Sequence, residues 1–151
     1  MSQNSKREQI LAAMETRVKA LPLVTTVKRQ PQSAADLDEY VEREFPVVAV
    51  VGGFPVPRET KWSGRNHQTP DLFLSQMIVE LYYYDRIDDE QDTRMSRLAD
   101  DLWRVVWADE TVAGLILRME TAFESLPSYR HPYVAFKLNC TMEYKHTRGG
   151  I

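Results

Sequence analysis

The sequence predicts an α+β domain: a mostly antiparallel sheet of about four to five strands, two main helices packed on it, and one long loop or arm. Three observations carry that expectation. From Val134 to Tyr144 every second residue is apolar (Val134, Phe136, Leu138, Cys140, Met142, Tyr144), and Ala135, Lys137, Asn139, Thr141 and Glu143 lie between them. A period of 2 marks a strand with one face on a core. Two other segments carry apolar residues at helical spacing instead. Between them, Phe54 to Pro70 has no period at all.

At 151 residues the chain suits one domain spanning 1–151 with a single core. Hydrophobic content of 43% and charged content of 27% are ordinary for a globular protein. A net charge of -3 gives no strong field favouring nucleic acid or an anionic membrane. The longest apolar runs, such as Val47 to Val51, are too short to span a bilayer. Met1 to Lys6 is polar and lacks the apolar core of a signal peptide. The single cysteine, Cys140, excludes an internal disulfide framework and suits a reducing cytosol. It falls on the apolar face of the last strand, where a buried, inert thiol is expected.

The first helix is expected over Lys6 to Ala20. Ser5 and Glu8 have capping-box spacing, Ile10, Leu11, Met14, Val18 and Leu21 form one stripe, and Pro22 ends it. Leu23 to Arg29 is rich in β-branched residues and reads as a strand. Ser33 with Asp36 caps a short helix over Ala34 to Arg43, with Leu37, Tyr40 and Val41 inward. After Pro46 the run Val47 to Val51 fits a central strand buried on both faces, ended by Gly52-Gly53.

Phe54 to Pro70 is the long loop. It holds three prolines and the cations Arg58, Lys61 and Arg65 around Trp62. Such loops are usually functional. Leu72 to Tyr84 reads as a long strand with Phe73, Met77, Val79, Leu81 and Tyr83 on one face. At least one ring of Tyr82-Tyr83-Tyr84 should be exposed or meet a partner, although ordinary sheet packing also accounts for the run.

Asp88, Asp89 and Asp92 open the second long helix, where carboxylates complement its dipole. Met95, Leu98, Ala99, Leu102, Val105 and Val106 form its stripe. Trp103 and Trp107 lie four apart off that stripe, a second face suited to another element or subunit. Leu117, Met119, Thr121 and Phe123 then alternate with Arg118, Glu120 and Ala122 as a one-sided strand. A turn over Leu126 to Pro132 makes it a hairpin with the last strand, and 147–151 is a loose tail.

The catalytic signals are thin. There is no phosphate-binding glycine loop and no cysteine pair for zinc. His67, His131 and His146 read as solvated loop residues. Asp85, Asp88, Asp89 and Asp92 lack the spacing of a calcium loop, and helix capping explains them more simply. The sharpest enzyme reading is a metal-dependent nuclease built from Pro70-Asp71 and Glu143-Tyr144-Lys145. The two elements are far apart, and Glu59-Thr60-Lys61 precedes Pro70-Asp71, which is the wrong order. No metal, no cofactor and no catalytic residue is therefore assigned. A basic loop around an aromatic can meet a nucleic-acid backbone, but Trp and Arg are also favoured protein-interface anchors.

The layout resembles the tail terminator (tail completion) proteins of long-tailed bacteriophages, over nearly the whole chain and by pattern rather than strict motif. The resemblance runs from the N-terminal helix into Leu23-Val24-Thr25-Thr26-Val27, through Glu44-Phe45-Pro46-Val47-Val48-Ala49-Val50 and the tyrosine strand. It continues to Leu102-Trp103-Arg104-Val105-Val106-Trp107-Ala108-Asp109 and the last strand ending in Glu143-Tyr144. Asp109 to Leu115 is similar to a D-x-T-L-G-G turn of such proteins, with Ala113 where a glycine is usual. The resemblance implies a non-catalytic virion protein, assembled in the host cytoplasm. It would form a ring, in such proteins usually of six copies, on the head-proximal end of the tail tube. Its partners would be itself, the tail tube protein and the neck or head-completion proteins. DNA would pass through an acid-lined lumen without specific binding. No membrane is involved. Another ring- or tube-forming neck, tail or secretion-tube component is the alternative. Arg58, Lys61, Trp62 and Arg65 of the arm and Trp107 of the helix are the expected interface residues.

Overall fold

Two 15-residue antiparallel strands form the spine of the protein. The computed structural model describes residues 5–61 and 72–147. Its helices are α1 (Lys6–Lys19), α2 (Ala34–Asp38) and α3 (Gln91–Trp107). Its strands are β1 (Thr26–Lys28), β2 (Val47–Gly52), β3 (Val56–Lys61), β4 (Leu72–Arg86), β5 (Arg118–Ser125) and β6 (Tyr133–Thr147), and a 3-10 turn covers Glu42–Glu44. The sheet order is β1-β2-β4-β6-β5, with β3 also on β4. All pairings are antiparallel except β1 with β2. The α+β class holds, with six strands rather than four or five.

β4 and β6 pair without a break from Leu72↔Thr147 to Arg86↔Tyr133. At about 3.4 Å per residue the ribbon is roughly 50 Å long. β2 and β3 lie end to end along one side of it: β2 pairs with 79–84 of β4 and β3 with 72–76. The expected loop therefore contains a strand, Val56–Lys61, and β3 and β4 form an antiparallel arm. Gly52-Gly53, Pro55 and Pro57 hide that strand from a reading by composition, and a register shift between Pro57 and Glu59 interrupts its ladder. Residues 62–71 lie outside the described residues.

One face of the sheet carries the main core. Ile10, Leu11, Met14 and Val18 of α1 and Leu98, Leu102 and Val106 of α3 pack on Val48, Val50, Met77, Val79, Leu81, Tyr83, Leu138, Cys140, Met142 and Tyr144. Each fully buried Leu or Val contributes about 1.5–3 kcal/mol over its exposed state. The Ser5 hydroxyl caps α1 by accepting the Glu8 N–H at 3.1 Å.

The opposite face is covered only at one end. There Leu37, Phe45, Val47, Ala49, Tyr84, Tyr133 and Ala135 form a smaller cluster. The Ser33–Asp36 capping box holds α2 with both reciprocal bonds, at 3.1 and 2.9 Å. α2 stops at Asp38, so Val41 points to solvent, contrary to expectation, while Leu37 and Tyr40 do pack inward. β1 is also shorter than the expected Leu23–Arg29; Leu23 and Val24 pack beside the core before pairing begins. Val47 to Val50 are buried on both faces of β2, as its apolar run implies.

All three tyrosines of the run are packed. Tyr83 is buried in the main core and Tyr84 in the smaller cluster. The half-buried Tyr82 stacks on Tyr84 with centroids 5.9 Å apart. Ordinary sheet packing thus accounts for the run, with Tyr82 the one ring left half-buried.

Candidate functional site

The arm begins where the helices stop covering the ribbon. Ser75 and Tyr144 are still fully buried, but Val56 at the start of β3 is 55% exposed, and Phe54 just before it 77%. Arg7 of α1 fixes the root. Its guanidinium donates to the carbonyls of Gly52 and Gly53, both at 2.9 Å, and lies 4.6 Å from the Phe54 ring centroid. A side chain at Gly52 would meet Leu11, whose Cδ2 is 2.6 Å from the position of an added Cβ.

Arg58 projects from the bulged part of β3 and donates to Gln76 Oε1 at 2.8 Å through Nε. That bond aims the guanidinium along the sheet face and leaves it exposed. Lys61 ends β3, and of it only the backbone is described. Trp62 and Arg65 lie outside the described residues. Trp107 sits elsewhere. β4 and β6 separate β3 from β5, against which Trp107 packs. The structure therefore does not bring Arg58 and Trp107 together.

The last turn of α3 places Trp107 over β5, where its indole N–H donates to Thr121 Oγ1 at 3.3 Å. Its neighbour Trp103 is 42% exposed. The two rings are 6.0 Å apart, and Trp103 stacks on Phe123 at 5.9 Å. Phe123 meets Phe136 edge-on at 5.7 Å, and Phe136 stacks on buried Tyr83 at 4.8 Å. An aromatic ladder thus runs from the surface into the core. Phe123 is 46% and Leu117 61% exposed, so β5 is not the cleanly one-sided strand expected. Its alternation is real, but of its apolar side chains only Met119 is buried in the core. The tryptophan pair four apart marked this face in the sequence; Phe123, the exposed ring beside it, carried no signal of its own.

Beside this ladder an open groove of about 490 Å³ runs between α3 and the β5–β6 connection. Met95, Ala99, Phe123, Leu126, Val134 and Phe136 line it with apolar surface, and Glu124 is the one charged lining residue.

The uncovered sheet face is charged and mutually paired. Lys137 Nζ lies 2.9 Å from Glu80 and 3.4 Å from Glu124, and Asn139 donates to Glu124 at 3.1 Å. Glu80 also accepts from the Tyr82 hydroxyl. The bond to Glu80 raises the Lys137 ammonium above the usual lysine range, and Asn139 with Lys137 holds Glu124 below the usual carboxylate range. Burial, with the Glu80 bond, pushes the Tyr82 phenol up to about 12. Ile78 stands 45% exposed on this face.

The remaining candidates resolve into structural roles. Asp85 and Asp88 both pair with Arg94 at 2.9 Å. Among the described residues no three His, Cys, Asp or Glu side chains are grouped to hold a metal ion. Cys140 is buried, and burial pushes its thiol up to about 12, far from a reactive thiolate. His131 is an exposed turn residue, as expected. His146 is not a loop residue: it lies on β6, half-buried, 2.6 Å from Ser75 Oγ and stacked on Phe73 at 5.3 Å. Ser75 is fully buried, so that contact offers no nucleophile to a substrate. Glu143 and Lys145 share one face of β6, while Asp71 and His67 lie outside the described residues. No helix among the described residues is long and apolar enough to cross a membrane.

No protein-family model matches the sequence, and no curated protein matches it at significance. The fold defines a mixed α+β domain with a mostly antiparallel six-stranded sheet.

Proposed function

We propose that this chain is a structural ring protein of the phage tail-terminator kind. It closes head-to-tail with copies of itself, as a ring of six, on the head-proximal end of a tail tube, stops the tube's growth and offers a surface to neck proteins. The observation that carries the reading is the arm. A 15-residue ladder extends past the helix-covered core, and β3 runs along it with Val56 and Arg58 exposed and Phe54 exposed in the connection that leads into it. A monomer gains little from exposing that apolar surface, whereas a neighbouring copy would bury it.

A closed ring needs a heterologous head-to-tail contact between copies. The arm lies on one side of the β4–β6 ribbon and the edge formed by α3 and β5 on the other, so the two surfaces can serve different contacts. In this reading the arm makes the contact to a neighbouring copy, with Arg58, Lys61, Trp62 and Arg65 as anchors, and the Trp103–Trp107–Phe123 edge serves a separate contact to tube or neck. The pattern-level resemblance in the sequence points the same way. DNA would pass through the lumen of such a ring without specific binding.

Charge reversal tests the arm. The double variant Arg58→Glu, Arg65→Glu should keep the folded far-ultraviolet spectrum and lose ring formation or tube capping. Normal assembly of that variant would discard the arm as the interface.

A further inference from the structure

We infer that the outer edge of β5 is a docking site for an extended strand of another protein, an apolar segment with a basic residue placed opposite Glu124. This inference concerns that edge alone and holds whether or not the chain forms rings.

The argument begins with the backbone. β5 is the terminal strand of the sheet, and among the described residues its main chain pairs only with β6. The outward row of N–H and C=O groups is therefore available to an added strand. Folded proteins usually blunt such edges with proline, bulges or brevity. This protein does so at its other edges: β3 carries Pro57 and a register shift, and β1 is three residues long. β5 is eight residues long and contains no proline and no register shift. Among the described residues β5 is thus the edge strand without proline, bulge or brevity, guarded by the charges of Arg118, Glu120 and Glu124 alone, and it is flanked by exposed aromatic rings.

The surroundings specify the occupant. A strand added to β5 would place alternate side chains on the helix side, beside Phe123 and the Trp103 ring stacked on it. Those positions call for apolar residues. The other alternate positions meet the opposite face of β5, where Glu120 and Glu124 project. Around them three carboxylates (Glu80, Glu120, Glu124) face two cations (Lys137, Arg118). The excess negative charge, and Glu124 at the groove wall, favour a lysine or arginine there. A second copy of this chain, pairing its β5 with this one, is the competing occupant, and the Phe123→Asp variant below separates the two.

The test uses the full chain and a synthetic probe, acetyl-Lys-Val-Lys-Phe-Lys-Val-Lys-amide, with hydrogen–deuterium exchange and titration as readouts. The expected result is saturable binding that protects the amides of 118–125. Glutamate in place of lysine in the probe, or Phe123→Asp in the protein, should weaken binding at least tenfold. Trp103→Ala is the second variant and should weaken it without altering the fold. Equal binding of the glutamate probe, or no protection of 118–125 at millimolar probe, would overturn the inference. An oligomer that Phe123→Asp converts to monomer would also overturn it, by making the occupant a second copy.

Discussion

Replacing Arg94 by methionine should destabilise the protein by about 3 kcal/mol. Asp85 sits on β4 at 1% exposure. Its carboxylate accepts Nε of Arg94 at 2.9 Å and a second guanidinium nitrogen at 3.2 Å. The Arg86 N–H at 2.8 Å and the Tyr83 hydroxyl complete its bonding. Removing one partner of a buried pair typically costs about 3–5 kcal/mol, because the other charge stays buried. Arg94 is 26% exposed, so water replaces part of its effect and the lower figure applies. At about 2–4 °C per kcal/mol for this size, Tm should fall by roughly 6–12 °C. Denaturant unfolding followed by circular dichroism measures the loss. Asp85→Asn combined with Arg94→Met should be more stable than Arg94→Met alone, since no unpaired charge remains. A loss under about 1 kcal/mol, or strictly additive single effects, would refute the reasoning.

Three further outcomes follow from particular residues. Val112, Ala113 and Gly114 all have positive φ (48°, 57° and 78°), and an L-residue pays about 1–2 kcal/mol there. Ala113→Gly should therefore stabilise by about 0.5–1 kcal/mol after the added unfolded-state entropy, raising Tm by a few degrees; no rise in a thermal melt would contradict this. Asp109 pins that turn. The Thr111 hydroxyl, the N–H groups of Ala113 and Thr111, and Arg17 lower its carboxyl to about 2. A depressed native pKa contributes stability above the unfolded value near 3.9, and the contribution is lost as pH falls through about 2. Stability should thus fall between about pH 4 and pH 2, and less steeply in Asp109→Asn; equal slopes in acid titrations would contradict it. Gly52→Val should cost about 1–3 kcal/mol by pressing on Leu11, whereas Gly52→Ala should cost less because the Leu11 side chain can yield. Urea midpoints for the two variants check that order.

Periodicity carried most of the fold. The alternation from Val134 to Tyr144 and the stripe from Met95 to Val106 named the faces that β6 and α3 bury. The Ser33–Asp36 box formed as written. What periodicity does not carry is coverage. Leu117, Met119 and Phe123 alternate alike, yet of the three only Met119 is buried and the Trp103 ring leaves Phe123 nearly half exposed, so the exposed aromatic edge was not legible from β5 itself. β3 escaped notice because an edge strand tolerates Pro57 and a bulge that a central strand does not. His146 looked like a tail residue because the length of β6 follows from its partner β4, not from its own composition.

Negative-stain electron microscopy of the purified chain, alone and mixed with tail tubes, tests the central claim most directly. The account predicts six-fold rings, or caps on one end of each tube. Monomers that also ignore tubes would contradict it.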